Sequence, residues 1–153
     1  MSTPPINRTL LTLLDNQVER TEAAFEELGA ETAVEEPGHD CKPIIEISRH
    51  LLELRRFQLE LLESTLAKDV PAPASTVAEM VERLAAAANL VRRAITEHDP
   101  DDWYATPATP RDGLWGELPT IVRFSRPFND FTNHLGSVRA IRRQFGDPAS
   151  RTQ

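Results

Sequence analysis

Residues 118–145, LPTIVRFSRPFNDFTNHLGSVRAIRRQF, hold the pattern from which the rest of the chain can be read. Ile121, Phe124, Phe128, Phe131, Leu135, Val138, Ile141 and Phe145 recur at steps of three and four, the period of a helix that buries one face. Asp130 and His134 stand beside that stripe, four residues apart and so adjacent on one helical surface. Pro127 lies inside the pattern, where it removes a backbone hydrogen bond and crowds the preceding turn; a kink or break near 123–125 is expected. Gly146 and Pro148 end the helix, and Arg139, Arg142 and Arg143 near its last turn suit the negative pole of its dipole, on a solvated face.

Working outward, three more stretches show the same period. Ile6, Leu10, Leu13, Leu14, Val18, Thr21, Phe25 and Leu28 mark a first helix ending at Gly29. Residues 30–40, AETAVEEPGHD, read as a loop, after which Asp40 is a suitable N-cap and Pro43 fits a first turn. A second helix over about 41–67 buries Ile44, Ile47, Leu51, Leu54, Leu61 and Leu62, with His50 inside its stripe. Val70, Pro71 and Pro73 end it, and Ser75 or Thr76 caps a third helix through Val77, Met80, Leu84, Ala87, Ala88, Val91 and Ile95. That link of about seven residues favours antiparallel neighbours. His98 closes the third helix, and residues 99–117, with Trp103 and Trp115, form a long connection of a length often functional, whose indoles are expected to plug one end of the fold. Four amphipathic helices with scarce glycine and no alternating segments define an all-α chain, expected as a four-helix bundle in one domain over residues 1–153.

Composition narrows the function classes. The net charge of -7, with 14 acids against 7 bases in residues 1–69, argues against a nucleic-acid surface that neutralises phosphates. One cysteine leaves no internal disulfide, and neither a signal peptide nor a membrane-spanning apolar run is recognisable, so a soluble cytoplasmic protein without membrane association is expected.

By residue chemistry, His50, Asp130 and His134 offer two imidazoles and a carboxylate, a donor set that suits Zn, Ni, Fe or Mn. Spacing alone favours a plainer arrangement, a buried His50 bonded to a carboxylate and an ordinary pair between Asp130 and His134. Glu46 and Glu53 flank His50 by one turn and are expected in solvent or on arginines such as Arg49 and Arg56. Cys41 near a helix start, with His39 close by, is a second candidate as a reactive thiol. Its nine-residue separation from His50 corresponds to about 13 Å along a helix, too far for one shared site.

The segments ISRHLLELRRFQLELL and NDFTNHLGSVRAIRRQFG resemble the DinB/YfiT-like superfamily of bacterial four-helix-bundle proteins, over most of the chain up to Gly146. Members place one metal-binding histidine in the second helix and two, spaced HxxxH, in the last. His50 and His134 match the outer positions, and Asp130 stands where the remaining histidine would be. The resemblance implies a metal-dependent enzyme of thiol-dependent S-transferase or hydrolase type, acting on a small molecule, with a low-molecular-weight thiol as cosubstrate and a homodimer as a compatible assembly. The alternative is a metal-free bundle that serves as a small-molecule-binding or protein-interaction module.

Overall fold

A computed structural model describes residues 2–106 and 117–147. The chain is all-α over these residues, with five α-helices: α1 Pro5–Phe25, α2 Ala30–Val34, α3 Ile44–Leu61, α4 Val77–Glu97 and α5 Thr120–Gln144. Short 3-10 turns occupy Thr65–Asp69 and Pro100–Tyr104. No strand forms among the described residues; Gly38 and Cys41 make one isolated bridge.

The four long stripes share one core. Leu10 and Leu14 of α1, Ile44, Leu51 and Leu59 of α3, Met80, Leu84 and Val91 of α4, and Phe124, Phe131 and Val138 of α5 are all buried in it. Helix α1 packs against α4 and α5, and α3 packs against the same two, so α1 faces α3 across one diagonal.

Helix directions follow from which residues meet. His50 touches His134 and the Arg55 guanidinium lies over the Phe131 ring, so α3 runs against α5. Gln17 donates to the Phe128 carbonyl and to Thr132, and Arg142 donates to the Ala24 carbonyl, so α1 and α5 are parallel. Asn7 donates to the carbonyls of Ile95 and His98, and Arg92 pairs with Asp15, which sets α4 against α1. Helices α3 and α4 therefore run the same way. This corrects the antiparallel expectation: α3 ends at Leu61, well before Ala67, and residues 62–76 climb back along the assembly to start α4.

Helix ends depart from expectation for local reasons. Helix α1 stops at Phe25 because Glu27 takes a left-handed conformation, φ 54°, and Gly29 instead begins α2, accepting from Ala33. The segment expected as loop thus contains a one-turn helix, which buries Ala33. His39 and Asp40 both have positive φ in a turn closed by the Cys41 N–H on the Gly38 carbonyl, so Asp40 caps nothing and α3 begins after Pro43. Glu63, φ 54°, ends α3 in the same manner as Glu27 ends α1. Thr76 caps α4 as expected, its hydroxyl accepting from the Glu79 N–H. Helix α5 continues through Pro127 without a break.

Trp103 closes one end. Fully buried, it donates from Nε1 to Asn7 Oδ1, tilts against His98 with ring centroids 4.3 Å apart, and meets Phe124 edge-on. Plugging is thus the structural role of this tryptophan; Trp115 lies outside the described residues. At the opposite end Arg142 is buried rather than solvated, holding Asp147 through two parallel bonds of 2.9 and 3.0 Å while its third nitrogen grips the Ala24 carbonyl.

Candidate functional site

His50 and His134 are brought together at the seam of α3 and α5. Their ring centroids lie 4.6 Å apart with planes at 86°, an edge-to-face contact. His134 stands beside the apolar stripe of α5 as expected, whereas His50, expected inside the stripe of α3, lies exposed at its edge, so pairing the stripes places the two rings on the rim of the core rather than in it. His50 keeps 46% of its side-chain surface in solvent.

The pair opens onto a surface cleft of about 540 Å³, lined also by Lys42, Glu46, Ile47, Arg49 and Glu53. Lys42 precedes α3 and the others lie on it up to Glu53, so the first three turns of α3 form one wall and His134 the other. Glu53 places Oε2 3.4 Å from His50 Nδ1, a long contact that orients the ring. Glu46 faces Lys42 at 3.9 Å. Both carboxylates are exposed to solvent, one of the two settings expected for them, and their nearest charged partners are His50 and Lys42 rather than arginines. When Nδ1 of His50 carries the proton toward Glu53, Nε2 is left with the lone pair.

His134 is held below the ordinary imidazole pKa, chiefly by burial and secondarily by His50, with Asp130 pulling the other way. Its ring is therefore neutral at neutral pH, the form in which imidazole binds a metal or accepts a proton. Asp130, half-buried one turn earlier on α5, acts on His134 through its charge. Among the described residues no three His, Cys, Asp or Glu side chains converge as a group able to hold one ion. Two of the three donors read from the sequence thus meet, and the third stands one turn away.

The rival thiol has a weaker setting than its sequence position implied. Cys41 is exposed and lies in the turn before α3, outside the helix whose dipole was to stabilise its thiolate. His98 is the C-cap of α4 as expected, its N–H on the Ile95 carbonyl.

Sequence reasoning missed Arg55, which is 1% exposed in the centre of the fold. The RR pair of the α3 motif was its only trace, because alternate faces of a helix are equally open to arginine until the partner helices are known. None of the described helices is long and apolar enough to cross a membrane. Comparison with protein-family models, curated proteins and solved structures found no match.

Proposed function

We propose that the chain is a DinB-like four-helix bundle in which His50, His134 and Asp130 hold a divalent transition metal for thiol-dependent S-transfer or hydrolysis on a small molecule. The observation that carries this reading is the contact between the two imidazoles across α3 and α5, at the head of an open cleft. The donor chemistry fits such an ion: His134 is kept neutral, and His50 is oriented through Nδ1 by Glu53, leaving Nε2 as its lone-pair nitrogen. Asp130 would add an oxygen donor and a negative charge. An ion bound there would lower the pKa of a thiol or water and make it nucleophilic near neutral pH. Lys42 and Arg49 would meet an anionic part of the substrate at the cleft wall, and Glu53 would keep the His50 ring from turning.

A second reading, a metal-free bundle that binds a small molecule or a protein, is favoured by the absence of a converged three-donor group among the described residues. Elemental analysis of purified, untagged protein separates the two. Near-stoichiometric Zn, Ni, Fe or Mn that falls in His50→Ala, Asp130→Ala and His134→Ala supports the metal site. Protein that holds no such metal, and takes up none on dialysis against these ions, sinks it in favour of the binding module.

A further inference from the structure

The Pro100–Tyr104 turn lies against one end of the bundle and inserts a single buried side chain into it. Trp103 is that residue, while Asp101, Asp102 and Tyr104 stand in solvent. Asn7 of α1 accepts the indole N–H at 3.0 Å, Phe124 of α5 meets the ring edge-on, and His98 tilts against it with centroids 4.3 Å apart. Polar bonds pin the chain on either side of the tryptophan. The Asn7 amide donates to the His98 carbonyl at 2.8 Å, and the Ala105 carbonyl accepts from the Thr120 N–H at 3.0 Å.

His98 is the titratable member of this group, and its setting does not suit a charge. The ring is half-buried, with Nε2 sealed from solvent and without an acceptor. A neutral imidazole tolerates this by keeping its proton on Nδ1, whereas the imidazolium carries N–H on both nitrogens and would bury one unpaired. The charged groups that act on the ring are Asp102 and Asp99, both exposed. On the neighbouring elements, α1 brings the neutral Asn7, Arg123 of α5 is spent on the Leu118 carbonyl and the Thr120 hydroxyl, and Glu97 of α4 pairs with Arg93. Burial outweighs the two aspartates and holds the His98 pKa below the ordinary imidazole value.

We propose that protonation of His98 opens the Pro100–Tyr104 turn while the four long helices stay packed. The imidazolium swings out toward Asp99 and Asp102, Trp103 loses the ring packed against it, and the indole lifts away, baring the part of Phe124 that it covers. The closed turn resists the proton and the open turn accepts it, so the open form gains as pH falls below the ordinary imidazole value. This device is independent of the metal reading.

Acrylamide quenching of Trp103, measured in Trp115→Phe protein where it is the remaining tryptophan, tests the opening. The quenching constant should rise severalfold as pH falls from about 7.5 to about 5, while the far-UV circular dichroism keeps its helical signal. His98→Phe keeps an aromatic ring against the indole and cannot be charged; its constant should not depend on pH. His98→Gln should behave likewise and serves if His98→Phe does not fold. Asp99→Asn combined with Asp102→Asn should move the rise to lower pH, because both charges favour the imidazolium. A constant that stays flat while His98 is present, a rise that persists without it, a rise that the aspartate changes leave in place, or one that coincides with loss of helix would overturn the proposal.

Discussion

Two histidines make the protein sensitive to mild acid. His134 and His98 are both held below the ordinary imidazole pKa, His134 mainly by burial and then by His50, and His98 mainly by burial against the partial opposition of Asp102 and Asp99. A histidine that resists protonation when folded but accepts it when unfolded adds stability above its unfolded pKa. That contribution is lost as pH falls from about 6.5 toward the folded value. Urea midpoints should therefore drop between pH 7.5 and 5.5, and the drop should shrink in a His98→Asn, His134→Asn double variant. In metal-free protein, NMR titration should find the His134 pKa raised by His50→Gln and lowered further by Asp130→Asn, since the first removes a repelling neighbour and the second an attracting one. Asp130→His restores the HxxxH spacing of the resembled family, and under the metal proposal it should slow loss of the ion to a chelator. The meeting of the histidines was legible because both stand in or beside apolar stripes that pair, although His50 proved to lie at the exposed edge rather than inside its own. Arg55 and Arg142 were not: an arginine on a stripe's flank looks the same in sequence whether it snorkels to water or is enclosed by a partner helix.

The four long helices were readable from period alone, because each buries one face and polar residues fill the other; the one-turn α2 was not. Their ends were not. Glu27 and Glu63 stop helices by entering a left-handed conformation that nothing in a glutamate announces, whereas the glycine expected to do so, Gly29, starts the next turn instead. Thr76 is the exception, a hydroxyl where a cap was expected, and Thr76→Ala should cost about 1 kcal/mol in chemical denaturation. The end of α5 depends on a stronger device. Asp147→Ala would leave the Arg142 guanidinium buried without its bidentate partner, and equilibrium unfolding should report a loss of about 3–5 kcal/mol.

Over the whole molecule the chain goes up in α1, down in both α3 and α4, and up again in α5. The sequence pointed to four packed helices but not to this order, because the helical reading was carried on to Ala67 and left too short a link to span the fold. Residues 62–76 must return the length of α3, about 27 Å at 1.5 Å per residue. A four-residue turn, reaching at most about 14 Å, cannot do so. Replacing 62–76 with such a turn should abolish cooperative unfolding by circular dichroism, whereas an antiparallel pair would tolerate it. The parallel run of α1 beside α5 has a mechanical consequence. Tension applied between Pro5 and Gln144 would slide these two neighbours lengthwise past one another instead of peeling them apart. The bonds from Gln17 to Phe128 and Thr132, and from Arg142 to Ala24, would then bear the load together, a shear geometry in which the molecule resists stretching along its long axis more than opening across it.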